Sequence, residues 1–159
     1  MAEFIVNEKL KKWIGYTSDP YIYKVEEGAI QRYARAVGDS NPLYCDVEYA
    51  ARSKFGRLMA PPGFVGWSVS KDFDFEKLVY NLVADGAPLE NVDGGVEYEF
   101  LAPIGAGDIL TMVVKVVDIV GRETKLGPTM ITTYEVTFTN QRGVVALKER
   151  HTFLSFGNV

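Results

Sequence analysis

One histidine and one cysteine occur in 159 residues, and these two scarcities exclude several kinds of chemistry. Cys45 has no second cysteine to pair with, so no internal disulfide is expected. One His and one Cys leave only carboxylates to ligate a metal, without any recognisable ligand spacing, so no metal site is expected. No glycine-rich phosphate loop follows a strand, which argues against a bound nucleotide, and no cofactor is expected. Long hydrophobic runs are also missing. None approaches the length that spans a bilayer, and no amino-terminal stretch joins a basic region to an apolar run and a cleavage site, so a cytoplasmic protein without a membrane partner is expected. The 17 Lys and Arg are scattered, and a net charge of −4 with a pI near 5.1 argues against a nucleic-acid surface. With no repeat, low-complexity tract or linker, a single domain over residues 1–159 is expected.

What is present is an ordinary globular composition, 47% hydrophobic, in a chain long enough to bury a real core. Phe4, Ile5, Leu10, Trp13 and Ile14 lie among charged residues and suit a short amphipathic helix that Gly15 ends. Alternation at Tyr21, Tyr23 and Val25 predicts a strand, followed by a helix from Gly28 to Val37. A further helix is expected from Val47 to Ser53 with Asp46 as its N-cap. After Pro61, Pro62 and Gly63 a longer apolar helix is expected to begin at Phe64 and to end near Val83. The period then changes to two. Val96–Phe100 and Met130–Phe138 alternate, Ile109–Val120 is almost continuously apolar and reads as a strand buried on both faces, and Asn140–Gly143 is a hairpin turn into a last strand from Val144 to Phe156. Residues Gly86 to Gly95 are expected to form a mobile loop. These elements predict an α+β domain in which an antiparallel sheet covers one apolar central helix.

The stretch from Tyr33 to Phe64 holds the candidate chemistry. Gly38 stands where a left-handed helix cap is expected, which places Asp39 just beyond a helix end. Asp39-Ser40-Asn41-Pro42 reads as a turn, and a structural role for its side chains on nearby N–H groups competes with a functional one. Gly38-Asp39-Ser40-Asn41-Pro42-Leu43, with Asp46, Tyr49-Ala50, Phe55-Gly56 and the run Leu58 to Gly63, resembles the signature of MaoC-like (R)-enoyl-CoA hydratases and dehydratases. Within that group the chain is most similar to the N-terminal dehydratase half and to free-standing subunits of heterodimeric (3R)-hydroxyacyl-thioester dehydratases. Downstream, Phe100-Leu101-Ala102-Pro103-Ile104-Gly105-Ala106-Gly107-Asp108 resembles the F-x-x-P-x-x-x-G-D of hot-dog domains.

The resemblance implies a hot-dog fold and (R)-specific hydration or dehydration of enoyl and 3-hydroxyacyl thioesters carried on CoA or ACP. Hydration of an enoyl thioester needs a base for the attacking water, a proton donor for C2, and N–H groups on the thioester oxygen. In the family pattern G-D-x-N-P-x-H the Asp and His form the acid/base pair, and Asp39 matches the Asp. Position 44 is Tyr44, not His, and an ordinary phenol titrates near 10 where imidazole titrates near 6.5. Asp39 and Tyr44 are therefore the candidate catalytic residues, and Asn41, Gly63 and Phe64 the candidate substrate-binding ones. Gly63 is the candidate thioester-binding N–H at a helix start, where structural capping explains it equally well.

Pro61-Pro62-Gly63 resembles the Ala-Pro-x-x-Phe of subunits that lack the acid/base pair and shape an acyl tunnel, and Phe64, Trp67 and Phe73 would suit its lining, with core packing as their more ordinary role. On that reading the chain assembles as a homodimer or as a heterodimer with a His-bearing hot-dog subunit. A hot-dog acyl-CoA thioesterase and a non-catalytic acyl-thioester-binding module are the alternatives. Periodicity gives His151 a structural or surface role in the last strand, and Cys45 reads as a packed thiol. Arg52, Lys54 and Arg57 are candidate contacts for the adenine end of CoA, with solvated surface charge as their ordinary role.

Overall fold

The computed structural model describes residues 3–64 and 75–157. Its frame is a five-stranded antiparallel sheet in the order β1-β3-β4-β5-β2, with β1 at Tyr21–Lys24, β2 at Glu90–Phe100, β3 at Ile109–Thr124, β4 at Gly127–Asn140 and β5 at Val145–Phe156. Helices α1 (Glu8–Lys11), α2 (Glu27–Ala36), α3 (Pro42–Cys45), α4 (Val47–Arg52) and α5 (Phe75–Ala84) complete the described elements.

Period-two burial shows why these strands form. On β4, Thr132, Tyr134, Val136 and Phe138 are buried while the residues between them are partly exposed, as expected of a sheet with one packed face. The register lines up rows across it: Val114, Val136, Glu149 and Tyr98 form one, and Met112, Phe138, Leu147 and Phe100 the next. From these rows Met112, Val114, Val136, Phe138 and Leu147 share one hydrophobic core with Leu78 and Leu82 of α5, Ile30 of α2 and Leu10 of α1. Covering the packed face removes its apolar area from water, roughly 1.5–3 kcal/mol for each large side chain fully buried.

Several expectations are corrected. β3 is not buried on both faces: Leu110, Met112, Val114 and Val116 are buried, and Lys115 is exposed between them, because the outer face of the sheet carries no covering layer among the described elements. The expected mobile loop at Gly86–Gly95 is overturned from Glu90 onward, where the chain pairs with β5 and absorbs one extra residue at a bulge between Asp93 and Gly95. The amino-terminal helix is confined to Glu8–Lys11, capped by Asn7, whose side-chain oxygen accepts from the N–H groups of Lys9 and Leu10. The expected start of the central helix from Val65, with Trp67, Val69 and Phe73, lies outside the described residues. No helix among the described residues is long and apolar enough to cross a membrane.

Candidate active site

The Asp39 turn is built by a helix ending. Gly38 adopts φ +73°, a conformation that costs glycine no Cβ clash. Its N–H donates to Arg35 O at 3.2 Å, while Asp39 N–H reaches back to Ala34 O at 2.9 Å, the paired bonds of a Schellman cap. Asp39 is thereby fixed at the end of α2. Its Oδ1 accepts from Asn41 N–H at 3.0 Å, and Asn41 Oδ1 in turn accepts from Leu43 N–H at 3.0 Å. Asn41 is the N-cap of α3, with Pro42 in its first turn. The expected turn thus contains a short helix. Asp46 follows as the N-cap of α4, accepting from Tyr49 N–H at 2.9 Å.

The two sequence marks, some 50 residues apart, meet in space. Met59 bridges Gly105, Ala60 N–H donates to Ile104 O at 2.9 Å, and Ala106 N–H donates to Leu58 O at 2.8 Å. A Cβ on Gly105 would stand 2.8 Å from Leu58 O and 2.9 Å from Arg57 Nε, so only glycine permits this approach. Arg57 clamps the junction, donating to Asp108 Oδ1 at 2.8 Å and Oδ2 at 2.7 Å and to Ala106 O at 3.0 Å. Asp108 is 2% exposed and also accepts from Gly105 N–H at 3.0 Å and Gln141 Nε2 at 3.1 Å. Burial alone would raise its pKa, but the hydrogen bonds from Arg57, Gly105 and Gln141, together with the guanidinium charge, hold it below the usual carboxylate value. Arg57 is thus engaged by Asp108 while its side chain stays 34% exposed. Lys54 lies 5.0 Å from the Phe55 ring centre, and Arg52 lies 3.9 Å from Glu48.

Beside this junction lies an apolar cleft of about 400 Å³, with walls that include Leu43, Tyr44, Phe55 and Met59 on one side and Phe100 and Pro103 on the other. Tyr44 is the candidate catalytic residue that lines it. Asp39 is half-buried at the helix end behind, with its carboxylate engaged in the turn, and Asn41 is exposed. Gly63 turns at φ +81°, with the Tyr33 hydroxyl 2.8 Å from where a Cβ would stand. Phe64 is 5% exposed, in the core, its ring edge-on to Tyr33 at 5.6 Å. The structure therefore brings Tyr44 to the cleft, Asp39 and Asn41 to the adjoining turn, and Phe64 to the interior. Cys45 is half-buried, its thiol donating to Asp39 O at 3.3 Å.

His151 occupies the packed face of β5, a structural position rather than a surface one. It is 3% exposed, with Nε2 3.2 Å from Oε2 of Glu149, itself 1% exposed. Strand alternation places both residues on one face; their burial and their mutual contact are not legible in the sequence. Tyr98 stands directly opposite Glu149 on β2, and its pKa is raised by burial and then by the nearby Glu149 carboxylate.

Comparison with known proteins adds family and fold. Residues 12–149 match the model of the FAS1-like dehydratase domain region. A UPF0336 protein of Parafrankia sp. (strain EAN1pec) is 32% identical over 131 residues, covering 79% of this chain and 80% of that protein. Among solved structures, a chain of the ChsH1-ChsH2 complex from Mycobacterium tuberculosis superposes with a TM-score of 0.77 at 19% identity, covering 96% of this chain and 91% of that one. A chain of the C-terminally truncated HadBC (3R-hydroxyacyl-ACP dehydratase) complex from the same organism gives 0.68 at 22% identity, covering 90% and 97%. MaoC-like dehydratases and (R)-hydratases are among the other matches, which bears out both the resemblance read from the motifs and the hot-dog fold. The sheet with its apolar core helix is a hot-dog of the MaoC-like kind, and the chain belongs to the FAS1-like dehydratase domain family.

Proposed function

We propose that this chain takes part in (R)-specific hydration or dehydration of enoyl and 3-hydroxyacyl thioesters, on CoA or ACP, as a subunit that lacks the catalytic imidazole and works with a His-bearing hot-dog partner. The observation that carries the proposal is Tyr44 on the wall of the cleft, at the sequence position where the family pattern has its His. A hydroxyl in place of the imidazole can donate a hydrogen bond, but it does not supply the base that the family's His provides. Asp39 alone is left as the carboxylate, and one of its oxygens already accepts from Asn41 N–H. The apolar walls suit the alkyl part of an acyl thioester and keep competing water away. In this scheme Asn41 orders the turn, Tyr44 donates a hydrogen bond to bound substrate, and Gly63 supplies backbone near the thioester oxygen. Phe64 supports that wall from the core. Structural similarity to chains from the ChsH1-ChsH2 and HadBC complexes supports a two-chain assembly.

The test is turnover of a 3-hydroxyacyl thioester by this chain mixed with a hot-dog subunit carrying G-D-x-N-P-x-H, against each chain alone. Turnover in the mixture that exceeds the sum of the two separate chains supports the proposal. Release of free thiol from saturated acyl-CoA by this chain alone would assign it to the thioesterases instead, and affinity without either activity would make it a binding module.

A further inference from the structure

Between Ala60 and Phe64 one backbone donor is left over beside the cleft. Ala60 N–H donates to Ile104 O at 2.9 Å and Phe64 N–H to Pro61 O at 3.1 Å, while Pro61 and Pro62 have no N–H to give. The Phe64 bond closes a four-residue turn whose central residues are Pro62 and Gly63. With Gly63 at φ +81°, it has the form of a type II turn, in which the third residue is normally glycine and its own N–H takes no part in the closing bond. Gly63 N–H accordingly has no acceptor among the described residues. It is half-buried and follows Pro62, which lines the cleft.

A second donor stands over this turn. The Tyr33 hydroxyl lies 2.8 Å from the point a Cβ on Gly63 would occupy, so the lack of a side chain at this position leaves the hydroxyl its place. Tyr33 is half-buried, and its ring is held edge-on to Phe64, with centres 5.6 Å apart and planes at 83°. Its hydroxyl also has no hydrogen-bond partner among the described residues. Tyr33 belongs to α2, the helix whose cap fixes Asp39, so one element positions both the hydroxyl and the carboxylate. Two donors partly withdrawn from water and without acceptors are costly until one oxygen accepts from both.

We infer that the Tyr33 hydroxyl is a catalytic hydrogen-bond donor that, with Gly63 N–H, holds the carbonyl oxygen of the thioester. The inference rests on the proposed hydration or dehydration and adds a residue to it. When water adds at C3 of an enoyl thioester, the C2–C3 π pair moves to C1–C2 and the carbonyl π pair moves onto oxygen. Loss of a C2 proton from a 3-hydroxyacyl thioester puts the same charge there. Donors aimed at that oxygen stabilise it more as its charge grows than they do the neutral ground state. The apolar walls beyond Pro62 take the acyl chain.

Infrared difference spectroscopy of butyryl-CoA, isotope-labelled at its carbonyl carbon and bound to the full chain, reads these two bonds without turnover. The bound carbonyl band is expected below its frequency in free butyryl-CoA. Tyr33→Phe, which keeps the ring on Phe64, is expected to move the band back toward the free value and to weaken binding about fivefold. A band that Tyr33→Phe leaves in place, in a variant whose melting curve shows it folded, would overturn the inference, and a purely structural tyrosine would give that result. In the mixture with a His-bearing subunit, Tyr33→Phe is expected to lower kcat about a hundredfold and to raise KM no more than about fivefold. Unchanged kcat there would also overturn the inference and leave the two-chain reading standing. A wild-type mixture without turnover, together with a carbonyl band that responds to Tyr33→Phe, would sink that reading and leave the donor assignment in place.

Discussion

Asp108 shows how much of the site depends on one carboxylate distant in sequence from the turn it supports. Its four hydrogen bonds join Arg57, Gly105 and Gln141, tying the segment below Tyr44 to the loop after β2. Asp108→Ala leaves a partly exposed guanidinium and the Gly105 N–H without their acceptor and is expected to cost about 2 kcal/mol, the scale of lost hydrogen bonds to a charged group, measured by urea denaturation. The pH dependence follows from the direction of the shift. Because the folded pKa lies below the unfolded one, the contribution is fully present above the unfolded value, near 4, and is lost as pH falls through the folded value. Asp108→Asn should therefore flatten the acid limb of the stability profile, and an unchanged limb would show that other carboxylates govern it. At this scale the sequence makes the Gly38 cap and the Asp39–Asn41 turn legible, because turn chemistry is local, whereas Tyr44 is picked out only by its place in the family pattern. The Arg57–Asp108 pair is not legible, because its members lie 51 positions apart and nothing local to either names the other.

The elements around the site are set by their ends. Gly38→Ala forces a Cβ into φ +73° and is expected to destabilise the chain by about 1 kcal/mol, with the further result that Asp39 and the Asn41 cap shift together. Circular dichroism melts measure the first effect, and amide exchange at Asn41 and Leu43 the second. Asn41→Ala removes the acceptor of Leu43 N–H and should cost about 1 kcal/mol, typical of an N-cap. All five strands, β2 from Val96 onward, and the helix before Asp39 are readable because alternation, 3.6-residue spacing and cap residues act within a few positions. The first half of β2 reads as loop, since Asp93, Gly94 and Gly95 carry turn chemistry; pairing with β5 and a bulge accommodates them. α3 is hidden for a similar reason, since a four-residue helix barely exceeds the turn that starts it.

For the whole molecule, the side of β2 left unpaired among the described residues runs into the wall of the cleft, so assembly and chemistry are expected to be coupled. Amide groups along the free side of β2 should exchange quickly in the isolated chain and gain protection when a catalytically complementing subunit is added; unchanged exchange in a mixture that gains turnover would place the interface elsewhere. The α+β class and the hot-dog outline are legible at this scale from patterning and motif spacing, whereas the bare edge follows only from strand order, which emerges once all five strands have paired. Under the proposed function this chain alone is chemically incomplete. Its most direct test is the enoyl-thioester absorbance of crotonyl-CoA mixed with the purified, folded chain, with Asp39→Asn alongside. The band is expected to persist with both proteins; its loss with the wild type but not with Asp39→Asn would show that the chain hydrates by itself.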